Sequence, residues 1–215
     1  MRAIVASAII ASILALGGCQ SAYYRTMETF GYHKRDLLVS RIQEARDAQE
    51  DAKEQFQSAL EKFSAIVEFS GGELEQKYRQ LKSELDRSKS RAKAVRSRIS
   101  EVEKVAKALF KEWEQELDQY TSEELRSSSA QKLSQTRRGY SQLIGAMKRA
   151  ESKIAPVLSA FGDQVLFLKH NLNAQAIASL HDNLVSVKAD ITSLIKEMES
   201  SIAEANAFIR EMGLD

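Results

Sequence analysis

Apolar residues recur at alternating spacings of four and three along most of the chain, and this repeat is the feature that most constrains the fold. Such spacing gathers side chains on one seam of a helix and is typical of coiled coils. The single Pro and nine Gly among 215 residues leave few helix breakers. The first seam consists of Leu38, Ile42, Ala45, Gln49, Ala52, Phe56, Ala59, Phe63 and Ile66.

Breaks in this repeat divide the chain into four predicted helices, at about 30–69, 73–120, 130–169 and 174–211. The first break is Ser70-Gly71-Gly72-Glu73, in which Gly stops one helix and Ser with Glu forms a capping box for the next. The second break covers 121–129. It offers helix caps at 121–124 and a run of Ser at 127–129 that should loosen the chain further. His170 to Asn173 is the third break. Pro156 lies inside the third helix and should kink it.

These elements predict an all-α fold, an elongated antiparallel four-helix coiled-coil bundle built from hairpins 30–120 and 130–212. Short connections force neighbouring helices to run antiparallel. If the first turn centres on Gly71, residue i of the first helix faces about residue 142 − i of the second. Whether the two hairpins close into one bundle is left open by the sequence.

The first 18 residues predict a signal peptide, because Arg2 precedes an uncharged apolar run that is shorter than the roughly 20 residues of a transmembrane helix. The run ends in Leu16-Gly17-Gly18-Cys19, which resembles the lipobox of bacterial lipoproteins. That resemblance implies cleavage before Cys19, acylation of Cys19, and a tether over 19–29. Gln20 in place of Asp implies the outer membrane. An ordinary secreted protein with a stray Cys, or an uncleaved anchor, is the alternative.

A basic stretch in the second helix is open to two interpretations. One is a patch for an anionic partner such as a lipid or an envelope polymer. The other is a solvated face with ion pairs across the first hairpin, because the pairing rule places the stretch opposite acidic residues at 44–55. The basic stretch consists of Arg87, Lys89, Arg91, Lys93, Arg96 and Arg98.

Aromatic residues are expected to gather at the end of the bundle nearest Cys19. They suit a membrane interface, but they equally suit a plug for the wide end of the core. The residues are Tyr23, Tyr24, Phe30, Tyr32, Phe110, Trp113, Tyr120 and Phe208.

Motifs for catalysis, metal binding or nucleotide binding are missing from the sequence. It contains no phosphate-binding Gly loop and no His-Glu-x-x-His, and no Glu stands three residues before any His. We therefore expect no catalytic residue, metal or cofactor. The 31 Lys and Arg against 30 Asp and Glu also argue against a nucleic-acid partner.

Residues 32–36, 52–60 and 163–177 resemble an uncharacterised family of Gram-negative bacterial lipoproteins with a domain of unknown function. The resemblance implies lipidation but no activity. We expect a structural or adaptor lipoprotein on the periplasmic face of the outer membrane, held by acyl chains and meeting an envelope protein. A module that binds lipid or envelope polymer is the alternative, and an enzyme ranks last. Self-association stays open.

Overall fold

Four long helices form the part of the chain that the structure, a computed structural model, describes: residues 34–67, 74–171 and 174–213. They are α1 (Lys34–Val67), α2 (Leu74–Leu117), α3 (Glu123–His170) and α4 (Ala174–Glu211). At 1.5 Å per residue, the 44 residues of α2 extend about 66 Å. The predicted all-α class is confirmed.

The four helices pack as a closed ring. Each helix contacts two neighbours: α1 packs on α2 and α4, and α3 packs on the same two helices. Consecutive helices run in opposite directions, as short connections require. The structure therefore answers the question that the sequence left open, because the second hairpin closes onto the first and one continuous core fills the space between them.

The core of α1 follows the predicted seam, since all nine of its members are buried. The pairing rule for the first hairpin is also confirmed. Arg91 meets Asp51 at 2.6 Å and Arg98 meets Glu44 at 2.8 Å, and the two residue numbers of each pair add up to 142. The alternating pattern and one turn position were enough to set this register.

The start of α3 differs from the prediction of about residue 130. The helix begins at Glu123, and the Oγ of Ser122 accepts the backbone N–H of Leu125 at 3.4 Å as its N-cap. Glu123 and Glu124 follow in the first turn, where their negative charges interact favourably with the positive end of the helix dipole. The prediction that Ser127-Ser128-Ser129 would loosen the chain is wrong, because these residues continue the helix.

Helix α3 continues through Pro156, whose ring lies on the exposed side. The phase of its buried seam slips near this point, because Val157, Phe161 and Val165 follow each other at two consecutive spacings of four residues. The helix ends at the predicted break, where the Nδ2 of Asn171 donates to the carbonyl oxygen of Phe167 at 3.0 Å.

The buried seam of α4 includes a polar residue near its C-terminal end. The fully buried residue there is Ser201, whereas its apolar neighbour Ile202 is half-buried. The three-and-four spacing then continues through Ala205, Phe208 and Met212, all of which are buried. A polar residue therefore occupies a core position that an apolar pattern alone assigns to its neighbour.

Candidate functional site

The chain enters the bundle at the end where α2 and α4 finish. Nζ of Lys34, the first residue of α1, lies 2.6 Å from the carboxylate of Glu112 on α2. The guanidinium of Arg35 donates to the backbone oxygen of Met212 after α4. The predicted lipobox, Leu16, Gly17 and Gly18 with Cys19, lies outside the described residues. In sequence, Cys19 stands fifteen residues before Lys34 and therefore before this end of the bundle.

Aromatic side chains close this entry end. The rings of Phe110 and Tyr140 meet edge to face with centroids 5.4 Å apart, and the guanidinium of Arg137 lies 5.2 Å from the Phe110 centroid. Nε1 of Trp113 donates to the Oγ of Ser129 at 2.8 Å. Burial raises the pKa of Tyr140 to about 12, so its hydroxyl stays protonated.

The placement of the expected aromatic group favours the core-plug interpretation over membrane contact. Phe110 and Phe208 are buried, Trp113 is half-buried, and Tyr120 is the exposed member, with 41% of its surface accessible. Four further members lie outside the described residues: Tyr23, Tyr24, Phe30 and Tyr32.

Four residues of the basic stretch form ion pairs. Besides Arg91 with Asp51 and Arg98 with Glu44, Arg96 lies 3.0 Å from Glu151 on α3. These contacts support the interpretation that ion pairs join neighbouring helices.

The fourth ion pair of the basic stretch lies within α2, where Arg87 is 3.3 Å from Glu84. Lys89 and Lys93 are exposed, and neither has a carboxylate within ion-pair distance among the residues with described side chains. The basic stretch therefore contains two kinds of residue. Its four arginines form ion pairs within the protein, and its two lysines remain available to bind a partner.

A buried carboxylate, Glu84, joins α1 and α2 in the half of the first hairpin that contains the end of α1 and the start of α2. Only 1% of Glu84 is accessible, and its Oε2 accepts from Nε2 of Gln55 at 2.6 Å while Oε1 accepts from Nζ of Lys62. Burial by itself raises the pKa of Glu84, but the hydrogen bonds from Lys62 and Gln55 outweigh it and hold the pKa below its usual range. Glu84 is therefore a charged clamp between α1 and α2.

A polar layer crosses the middle of the core. The Oγ of Ser201 donates to Oε1 of Gln49 at 2.8 Å, and both residues are fully buried. Nε2 of Gln49 and Oγ of Ser88 are also buried, and neither has a hydrogen-bond partner among the described residues. The sequence placed Gln49 in the seam of the first helix, but it did not reveal that Ser201 would pair with Gln49.

A row of unpaired lysines lies along the outer side of α2. Its members are exposed, and all of them except Lys89 occupy the outward positions of the heptad pattern. No ion pair involves them in the described part of the chain. Sequence reasoning missed the second half of the row because Glu101 and Glu103 interrupt the basic residues; the spacing on the outer helix face was the available signal. This lysine row consists of Lys89, Lys93, Lys104, Lys107 and Lys111.

Charge is unevenly distributed around the ring, although the total is nearly neutral. Helix α2 has 12 basic against 8 acidic residues, and α3 has 8 against 4. Helix α1 has 6 basic against 7 acidic residues, and α4 has 3 against 6. Because α2 and α3 are neighbours, as are α1 and α4, the bundle has a basic side and an acidic side.

The histidines show no metal-binding arrangement. His170 and His181 are exposed, and the described residues include no group of three His, Cys, Asp or Glu that could hold a metal ion. His33 lies outside the described ranges. Within those ranges, no helix combines the length and the apolar character that crossing a bilayer requires.

Comparison with known proteins identifies a family but no activity. A family model described as "Protein of unknown function (DUF2959)" matches residues 23–212. No curated protein and no solved structure matches the chain.

Proposed function

The chain belongs to the DUF2959 family of proteins of unknown function, and we propose that it is a lipid-anchored protein of the bacterial envelope that acts by contact through its helical surface. In this proposal Cys19 is acylated, residues 1–18 are removed, and the bundle stays at the periplasmic face of the outer membrane. The bundle serves as a structural element or adaptor.

The observation that carries the proposal is the lipobox-like Leu16-Gly17-Gly18-Cys19 directly after an apolar run. The geometry of the bundle agrees with it. Lys34 and Arg35 are fastened to the end formed by the last turns of α2 and α4. A short tether therefore leads from the proposed anchor to one end of a stiff bundle, and acyl chains buried at about 0.8 kcal/mol per methylene hold it there.

Contact suits this molecule because its core is filled and its helices are fixed to each other. The interior is one apolar cluster with a few buried polar residues, and ion pairs join α1 with α2 and α2 with α3. Such a bundle presents long, preformed helical faces, and a preformed surface loses little conformational entropy when a partner binds.

Replacing Cys19 by Ser tests the anchor. We expect the Cys19→Ser protein to leave the membrane fraction and to lose incorporation of labelled fatty acid. Ser21→Ala is the matched control, because it alters one small side chain of the tether and keeps the thiol. If Cys19→Ser stays with membranes and keeps residues 1–18, the proposed anchor is wrong.

Crosslinking in cells tests the adaptor role. Photoreactive side chains at the exposed positions Gln76 and Lys169 lie at the end of the bundle away from Lys34. We expect one of them to capture a specific envelope protein. A probe at Lys132, near the entry end, is the control. Correctly lipidated protein without any crosslinked partner at either position would contradict the adaptor role.

A second candidate function is binding of an anionic envelope component. The lysine row favours it, because five exposed cations in a line have no carboxylate partner in the described structure. The row replaces the basic stretch as the surface on which such binding would depend.

A further inference from the structure

We propose that the lysine row of α2 rests on anionic lipid headgroups, so that the anchored bundle lies along the membrane surface with α2 and α3 beneath and α1 and α4 above. The inference rests on the proposed lipid anchor, which brings the bundle to the bilayer.

The shape of the lysine row fits a flat surface. Lys111 follows Lys89 by 22 positions in one helix, which is about 33 Å along the bundle axis. Its side chains leave α2 on the side away from the buried seam. A line of cations parallel to the axis can meet headgroups together only if the bundle lies down, whereas an upright bundle offers the membrane only its end.

Acidic residues near the row are occupied by other partners. Glu103 pairs with Lys148 on α3, and Glu114 lies 2.6 Å from Arg137, which is also on α3. Glu101 lies 2.8 Å from Arg98. The positive charge of the lysines is therefore not cancelled by these neighbours. Exposed Ser90 and Ser97 lie among the lysines and add hydroxyl donors for phosphate oxygens.

The opposite side of the bundle is acidic, so an anionic membrane surface repels it. Asp47, Glu54 and Glu61 repeat every seven residues on the exposed side of α1, and α4 has twice as many acidic as basic residues. Anionic lipid attracts each nearby Lys by about 1 kcal/mol. Because attraction and repulsion act on opposite sides, the charge distribution selects one orientation.

The proposed tether allows this orientation. Lys34 follows Cys19 by fifteen positions, and an extended chain spans at most about 3.5 Å per residue, or roughly 50 Å. Lys111 is next to Glu112, the residue that contacts Lys34, so the row begins near the anchored end. An acyl anchor combined with a basic patch is a two-part membrane attachment.

Vesicle binding by the chain without acyl groups tests the row independently of the anchor. The protein is residues 19–215 with Cys19→Ser, mixed with vesicles of phosphatidylcholine alone or with added phosphatidylglycerol. We expect binding only to the anionic vesicles, weakened by salt because the contacts are exposed. The triple variant Lys93→Gln, Lys104→Gln, Lys107→Gln should lower the partition coefficient roughly a hundredfold.

The control variant removes three positive charges from the acidic side: Lys188→Gln, Lys196→Gln and Arg210→Gln. All three side chains are exposed, so the two triple variants change the net charge equally. We expect the control to bind within a few-fold of the parent. Equal losses in both variants would overturn the proposal, because only net charge would then matter.

A spin label tests the orientation directly. The Cys19→Ser chain has no other cysteine, so Ser97→Cys on α2 and Ala203→Cys on α4 give single labels at exposed positions. We expect the label at position 97 to lie at the headgroups and the label at position 203 to lie in water. Equal exposure of both labels on anionic vesicles would overturn the proposal.

Binding to soluble dextran sulfate without any binding to vesicles would also overturn the proposal, since the row would then serve an anionic polymer. Because the tested chain has no acyl group, a failure here leaves the proposed anchor untouched. Failure of acylation at Cys19 would in turn leave the vesicle result unchanged.

Discussion

Glu84 shows how one buried charge holds two helices in register. Replacement by Gln keeps the shape but removes the charge that Lys62 and Gln55 bind, and hydrogen bonds to charged groups contribute about 1.5–3 kcal/mol. We expect Glu84→Gln to lower the free energy of unfolding by about 2 kcal/mol in denaturant titrations. Glu61→Gln, at an exposed position of α1, is the control and should change it by less than about 0.5 kcal/mol.

The lowered pKa of Glu84 makes the stabilisation from its contacts with Lys62 and Gln55 depend on pH. Its pKa in the folded protein lies below the ordinary value of 4.5, so the unfolded chain binds the proton more readily. The stabilisation is fully present above pH 4.5 and is lost as the pH falls through the lowered pKa. The difference in unfolding free energy between the parent and Glu84→Gln should shrink over that range. A difference independent of pH would contradict this account.

Ser88 illustrates the opposite case, a buried polar atom without a hydrogen-bond partner in the part of the chain that the structure describes. Removing such a hydroxyl relieves a desolvation cost of about 1–3 kcal/mol. We therefore expect Ser88→Ala to raise the free energy of unfolding by about 1 kcal/mol, measured by thermal and denaturant unfolding. The exposed Ser90→Ala should have little effect. Destabilisation by Ser88→Ala would show that the hydroxyl has a partner.

At the scale of elements, the start of α3 depends on a single cap. Ser122→Ala removes the acceptor for the N–H of Leu125, and losing an N-cap typically costs about 1 kcal/mol. We expect that loss together with faster hydrogen exchange in residues 123–129. Ser127→Ala, inside the helix and exposed, is the control and should be neutral or slightly stabilising. Unchanged exchange in Ser122→Ala would contradict the capping role.

The helices show which parts of the fold a sequence predicts. The seam of α1 and the pairing of α1 with α2 were predictable because each depends on local spacing and one turn. The start of α3 was not, since several Ser residues resemble a loop until a cap and two acidic residues outweigh them. Ser201 was missed because its burial depends on Gln49, a residue far away in sequence. Long-range polar pairing leaves no local pattern.

At the scale of the whole molecule, the nearly neutral total charge conceals two oppositely charged sides. The sequence alone could not reveal them, because sides exist only once α2 lies beside α3 and α1 beside α4. The packing of the helices also separates two kinds of basic residue. Arg91 pairs with Asp51 on α1, whereas Lys93 has no acidic partner in the described structure. The predicted basic stretch was therefore partly a set of inter-helix contacts, and the exposed surface extends further along α2.

The mass of the N-terminal peptide, isolated from membranes of the producing bacterium, tests the central claim most directly. If the protein is a lipid-anchored envelope protein, residues 1–18 are gone and the peptide beginning at Cys19 carries the added mass of a diacylglyceryl group and a further acyl chain. A peptide that still includes Met1, or that begins at Cys19 with an unmodified thiol, would contradict it.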